Sequence, residues 1–209
     1  MPDPTSSTDP AVTAAVAQIR QVEQGQARSP VVHTVFDEAT FTASHIVYDP
    51  ATREAAIIDS VLDYEASSGR TSYTSAQKIV DYVRSEGLTV QWQLETHAHA
   101  DHLSAAPWLQ QQLAGKLAIG AEITCVQNVF GKIFNAGTEF ARDGSQFDHL
   151  FQVVDRLFVV GIEVFVLDGP GRTPMDLAFL ICVATFIVHT QVLPGYATAR
   201  AGCPCGDAR

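Results

Sequence analysis

The sequence predicts a mixed α/β (α+β) domain, and three observations carry that expectation. Between Val31 and Asp59 the chain is a succession of short β-branched runs separated by turn residues. From Tyr73 onward, strand-like runs alternate with stretches of helical periodicity. Past Phe158 the text returns to apolar strands. With 209 residues, the chain is long enough to bury a sizeable core in one domain.

Composition narrows the class. Hydrophobic residues make up 46% and charged residues 17%, which describes a globular chain. Thirteen Lys and Arg stand against 23 Asp and Glu, a formal charge of −10 with no basic cluster, so neither nucleic acid nor an anionic membrane is an expected partner. Four cysteines, Cys125, Cys182, Cys203 and Cys205, are too few and too unevenly placed for a disulfide scaffold, and a reducing cytoplasm is the expected location. Met1 to Pro30 has no signal-peptide pattern. Pro, Ser, Thr and Asp dominate to Pro10, and Ala11 to Gln24 has an alanine-rich helical composition with only a thin apolar stripe. Residues 1–30 read as a disordered or weakly helical extension, and residues 31–209 as the folded domain.

The elements follow in order. Val31–Phe36, Ser44–Tyr48 and, after the turn at Asp49-Pro50, Ala55–Asp59 have the pattern of an antiparallel sheet. His33 and His45 lie within these strands and read as ordinary structural histidines. Asp63 to Thr74 is polar and contains Gly69, so it reads as a surface loop. Tyr73 to Glu86 carries Ile79, Tyr82 and Val83 at helical spacing and is stopped by Gly87. A strand is expected at Thr89–Glu95, and a helix at Leu103–Leu113 with Ala105, Leu109 and Leu113 on one face. Leu117-Ala118-Ile119 reads as a short strand and Ala121 to Phe134 as a helix. Phe158-Val159-Val160 and Glu163-Val164-Phe165-Val166-Leu167 form a hairpin. Leu177 to Val188 is nearly all apolar, too short to span a membrane, and reads as two buried strands joined at Val183-Ala184.

The chemistry concentrates in Thr96-His97-Ala98-His99-Ala100-Asp101-His102. Three imidazoles and a carboxylate within six residues, immediately after a strand, point to a metal site. His97 and His99 are two apart, so on an extended segment both project to one side and can close on one ion. Asp101 and His102 follow as the chain turns, placed for a second ion or for a base beside the first.

This H-x-H-x-D-H signature resembles the metallo-β-lactamase superfamily. The flanking text, Phe36-Asp37-Glu38-Ala39-Thr40-Phe41, Ile57-Ile58-Asp59, Val61-Leu62-Asp63-Tyr64 and Ser68-Gly69-Arg70-Thr71, is similar to the branch of persulfide dioxygenases and glyoxalase II-type thioesterases. The resemblance is close from about Phe36 to Leu150 and patchy beyond. It implies an αββα sandwich with metals at one edge, and a carboxylate at Asp59 standing behind the metal loop. It also implies iron or zinc, one or two divalent ions, and a small glutathione-derived thiol or thioester substrate. Tyr196 and Thr198-Ala199-Arg200 resemble the segment that handles glutathione, and Arg70 joins them as a substrate-binding expectation. His149, in Phe147-Asp148-His149-Leu150-Phe151, is expected at the surface or behind the site.

The second half departs from the family. In Leu167-Asp168-Gly169-Pro170-Gly171-Arg172-Thr173-Pro174, Asp168 and Arg172 occupy positions where relatives carry histidines, the second of them a metal ligand. A guanidinium has no lone pair and stays charged, so Arg172 cannot ligate. His189 stands where relatives place an aspartate, and it can bind one ion but not bridge two. Cys203 and Cys205 read as an exposed thiol pair. Relatives continue beyond the position of Arg209, so the sandwich is expected to be incomplete at its C-terminus, with apolar residues between Leu177 and Leu193 partly exposed and a homodimer the consequence.

Three readings follow. The first is a metalloenzyme in which His97, His99 and His189 hold the ion, and Asp101 and His102 hold a second ion or orient a water as catalytic groups. On the dioxygenase side a single iron works on oxygen and a persulfide; on the thioesterase side two metals activate a water. Ser68-Gly69-Arg70-Thr71 and Thr198-Ala199-Arg200 favour the dioxygenase. The alternative, from another class, is a non-catalytic remnant that binds metal weakly, motivated by Arg172 and the early end.

Overall fold

The computed structural model describes residues 30–99, 102–152, 155–159, 162–168 and 177–181, with scattered positions between 13 and 25. Its core is a six-stranded sheet in the order β1 (Val31–Asp37), β2 (Thr42–Tyr48), β3 (Glu54–Ile58), β6 (Thr89–Leu94), β8 (Lys116–Gly120) and β9 (His149–Phe151). The first three strands are antiparallel hairpin neighbours. β3, β6, β8 and β9 run parallel, because helical crossovers return the chain each time to the same end of the sheet.

Alternation along β3 explains the layers. Ala55 and Ile57 face one side with Ile46, Tyr48 and Val90, and pack against Ala76, Ile79, Val80, Val83, Ala105 and Leu109. Ala56 and Ile58 face the other side with Val47, Leu94, Ala118 and Phe151, and meet Val164 and Val166 of a second sheet. That sheet is β10 (Arg156–Val159), β11 (Ile162–Asp168) and β12 (Leu177–Ile181), all antiparallel. Helices, sheet and facing sheet are three successive layers of the expected sandwich.

Helix α1 (Thr74–Ser85) forms because Ala76, Ile79, Val80 and Val83 recur at i, i+3, i+4 and i+7; all four are buried. Burying each large one contributes about 1.5–3 kcal/mol. It ends in a Schellman turn: Gly87, at φ 62°, donates to Arg84 O, and Leu88 N donates to Val83 O. Helix α2 (Ala106–Leu113) buries Leu109, and α3 (Ile123–Ile133) buries Ile123.

Two expectations need correcting. The stretch from Asp63 to Thr74 is not simply a loop. It contributes to a small sheet of β5 (Arg70–Ser72), β4 (Val61–Glu65) and β7 (Leu103–Ser104). This hairpin is largely solvated, so its side chains carry no apolar alternation to announce it. Asp63 points inward to accept from Ser75 N and Ser75 Oγ, at 2.9 and 2.6 Å, and so caps α1. The second correction is the start of α2. Leu103 and Ser104 pair with Leu62 and Val61, and the helix begins only at Ala106, where Pro107 suits the first turn because it needs no N–H there.

His33 and His45 are structural as expected. His33 stacks on Tyr82 with centroids 3.6 Å apart, and His45 Nδ1 lies 2.9 Å from Thr34 Oγ1. Among the described residues no helix is long and apolar enough to cross a membrane. The readings placed on most of residues 1–30, on residues 182–209, and on the side chains of 177–181 lie outside the described residues, including the expected strand after Val183 and the exposure up to Leu193.

Candidate metal centre

The site is built on the ends of parallel strands. Ile58 pairs with Leu94 across β3 and β6, and each is followed by a carboxylate residue, Asp59 and Glu95. Parallel register therefore delivers two acidic side chains side by side at the C-terminal edge of the sheet, where open α/β sheets generally place ligands. Asp59 N donates to Leu94 O and Glu95 N to Ala118 O, which ties both backbones to neighbouring strands. Asp59 has φ 51°, the left-handed region that aspartate tolerates better than most residues, and this turns the chain sharply as it leaves the sheet.

Asp59 is fully buried. Its carboxylate accepts from Thr96 N and from Thr96 Oγ1, both at 2.8 Å, and lies 3.1 Å from His99 Nε2. Glu95, also buried, brings Oε2 to 3.2 Å from the same His99 Nε2, while its Oε1 accepts from Ser104 Oγ at 2.5 Å. Ser104 Oγ in turn accepts from Ala106 N at the start of α2. Potential ligand atoms of Asp59, Glu95 and His99 all lie within 4.8 Å of one another.

The electrostatics follow from this packing. Burial acts to raise the Asp59 carboxyl, but the His99 bond and charge and the two Thr96 donors outweigh it and hold the group below its ordinary value. Burial pushes Glu95 up, and His99 and Ser104 only partly offset it. Burial would lower His99, yet its bonds to Asp59 and Glu95 and their charges raise it to about 10. The Asp59 carboxylate thus places a negative charge opposite His99.

The three imidazoles of the loop are gathered rather than divided between two directions. Ring centroids of His97 and His99 are 4.2 Å apart, and those of His99 and His102 are 4.1 Å apart. His97 Nδ1 lies 2.8 Å from Thr96 Oγ1, and His102 Nδ1 lies 3.1 Å from Leu103 O. His99 differs: Nε2 faces the carboxylates, and its buried Nδ1 has no hydrogen-bond partner among the described residues. A buried ring nitrogen in that state, among further imidazoles and carboxylates, fits a divalent metal ion, which uses nitrogen and oxygen donors and whose histidine ligands characteristically give the other nitrogen to a carboxylate.

Of the other site residues expected from sequence, Arg70 is exposed on β5, in the small sheet whose β7 follows directly on His102. His149 is exposed on β9 and sits against Trp92 and Phe151. Asp101, Arg172, His189, Tyr196 and Arg200 lie outside the described residues. Sequence reasoning missed Glu95. Its one local signal is an acidic residue closing a strand just ahead of the H-x-H.

Comparison with known proteins bears on the same region. The profile of the metallo-beta-lactamase superfamily matches residues 40–182. The chain is 45% identical over 188 residues to a probable metallo-hydrolase of Burkholderia pseudomallei, covering 85% of this chain and 64% of that protein. It is 40% identical to glyoxylase B2 of Dictyostelium discoideum, covering 80% and 58%. Similarity to the mitochondrial persulfide dioxygenase ETHE1 of Bos taurus is lower, 24% identity covering 86% and 57%. The chain therefore spans less than two thirds of the length of these relatives. Among solved structures, ETHE1 from Myxococcus xanthus superposes with a TM-score of 0.52 at 22% identity, covering 72% of this chain and 53% of that one, which is a likeness of fold.

Proposed function

This chain belongs to the metallo-beta-lactamase superfamily, and from that premise we propose that it is a metal-dependent enzyme acting on a glutathione-linked sulfur substrate, of the persulfide dioxygenase type. Named relatives are metallo-hydrolases and related enzymes. The observation that carries the metal reading is the buried Nδ1 of His99, unpartnered among the described residues and flanked by the His97 and His102 rings. In this reading His97, His99 and His102 hold iron or zinc, with Asp101 and His189 completing the set. A bound divalent ion supplies Lewis acidity at the reacting sulfur or carbonyl.

The protein's own groups do the rest. Asp59 and Glu95 keep the Nε2 proton of His99 facing inward, so that the other nitrogen is presented to the ion. Thr96, held twice by Asp59, fixes the start of the loop. Arg70, with Tyr196 and Arg200, supplies charge and hydrogen bonds for the glutathione carboxylates. The overall reaction converts a persulfide R–S–SH with O2 and water to the thiol R–SH and sulfurous acid, a balanced four-electron oxidation of the outer sulfur.

The 40% identity to glyoxylase B2 supports a second reading, hydrolysis of a glutathione thioester. One experiment separates them. The purified full chain, loaded with iron or with zinc, is given glutathione persulfide in an oxygen electrode and an acyl-glutathione thioester in a thiol-release assay. Oxygen uptake with the iron form is the expected result. Thiol release without oxygen uptake selects the hydrolase, and absence of metal and of both activities selects the non-catalytic remnant.

A further inference from the structure

The metal loop leaves the sheet at Glu95 and rejoins regular structure in β7, and the side chains of Glu95 and Ser104 are hydrogen-bonded at 2.5 Å. That contact closes the neck of the segment carrying His97, His99 and His102. Glu95 is 4% exposed, so its position costs desolvation that must serve some purpose. Its second oxygen lies 3.2 Å from His99 Nε2, beside the Asp59 oxygen at 3.1 Å. Asp59 alone already satisfies the single Nε2 proton. Glu95 Oε2 has no hydrogen bond of its own among the described residues, yet it stands in close contact beside that bond, and two carboxylate oxygens packed against Nε2 leave the ring less freedom to rotate about its Cβ–Cγ bond than one would.

We propose that Glu95 is a positioning residue of this centre: held by Ser104, it fixes with Asp59 the rotation of the His99 ring that points Nδ1 at the ion. The inference rests on the metal-binding reading of the loop. It assigns Glu95 no direct bond to metal or substrate. Ser104 has the role of fixing Glu95, because its hydroxyl donates to Oε1 while its oxygen accepts from Ala106 N, so the chain of contacts ends on the rigid first turn of α2.

The test uses the full chain and cobalt(II) as the probe, which replaces zinc or iron in such sites and reports its ligands through visible absorption. Wild type, Glu95→Gln, Glu95→Ala and Ser104→Ala are titrated with cobalt(II), with circular dichroism confirming the fold of each. Glu95→Ala should bind about 10- to 100-fold more weakly, as expected when a residue supporting a ligand is lost, yet reach the wild-type stoichiometry and band positions at saturation. Glu95→Gln should recover most of the affinity, since its carboxamide oxygen can keep the contact with His99 Nε2 and its N–H can donate to Ser104 Oγ. Ser104→Ala should fall between wild type and Glu95→Ala. Unchanged affinity in Glu95→Ala overturns the proposal, and so does an altered saturated spectrum or lost stoichiometry, which would make Glu95 a ligand. Glu95→Gln as weak as Glu95→Ala would also overturn it, by showing that charge and not hydrogen bonding matters. If wild type binds no cobalt(II), the metal reading itself fails and the proposal falls with it. If Glu95→Ala does not fold, the order wild type, Glu95→Gln, Ser104→Ala still decides.

Discussion

The carboxylate of Asp59 holds both the backbone N–H and the hydroxyl of Thr96, 37 residues further along, with two bonds of 2.8 Å. These bonds couple the end of β3 directly to the start of the histidine loop. They also explain why an aspartate occupies a left-handed backbone position at full burial. The bend aims the carboxylate across the strand ends, and the bonds it accepts there offset its desolvation.

Asp59→Ala should therefore loosen the loop before it harms the sheet. Stranding the two Thr96 donors costs on the order of 1–3 kcal/mol each, and non-additivity keeps the total near ~3 kcal/mol. Urea melts of the chelator-treated protein would measure this. A change below about 0.5 kcal/mol, the usual range for surface substitutions, would show that the pair does not anchor the loop.

Metal should stabilise the fold, since a site of this kind exists in the native state and not in the unfolded one. At a free metal concentration 100 times Kd the gain is about 2.7 kcal/mol. The melting temperature should rise accordingly with iron or zinc and return to its starting value on adding chelator. Equal melts with and without metal would remove the basis for the functional reading.

Much of this was legible in the sequence, for identifiable reasons. α1 and the strands β2 and β3 bury one or both faces, so their side chains carry the period of the element. The β4–β5 hairpin is held by backbone pairing with little buried surface, which leaves no side-chain trace. His97, His99 and His102 stand out by spacing alone. Glu95 does not, because its meaning depends on the parallel register of Ile58 with Leu94, a pairing between segments distant in sequence. Asp101 rests on the spacing of the loop, and His189, Tyr196 and Arg200 on resemblance; all four lie outside the described residues.

The histidines should separate cleanly in a metal assay. His97→Ala and His99→Ala should each lower metal retained after dialysis by at least about tenfold. His149→Ala, exposed on β9 against Trp92 and Phe151, should retain the wild-type amount. His99→Ala should also destabilise the metal-free protein by on the order of 3 kcal/mol, because it leaves the Asp59 charge buried without its partner. Loss of metal in His149→Ala, or none in His99→Ala, would move the site elsewhere.

The final prediction concerns acid. Asp148 sits on the loop before β9, and its Oδ2 accepts from Leu117 N at 2.8 Å and from Gln110 Nε2 at 2.6 Å, linking β8 to α2. The Leu117 N–H, then Gln110, and more weakly the Lys116 charge hold its carboxyl below the usual range, against a small opposing effect of burial. A depressed folded value means the ionised group favours the native state. The contribution is complete above the unfolded value of about 3.9 and is lost as pH falls through the folded value beneath it. Because the side chain is exposed, solvent screening limits it to less than about 1 kcal/mol. Asp148→Asn should therefore be less stable than wild type at pH 7, with the gap closing steadily below pH ~4. Urea melts of both proteins in chelator from pH 7 downward give the difference directly, since the groups they share cancel. A gap that stays constant into acid would show that Asp148→Asn lost shape complementarity and not charge.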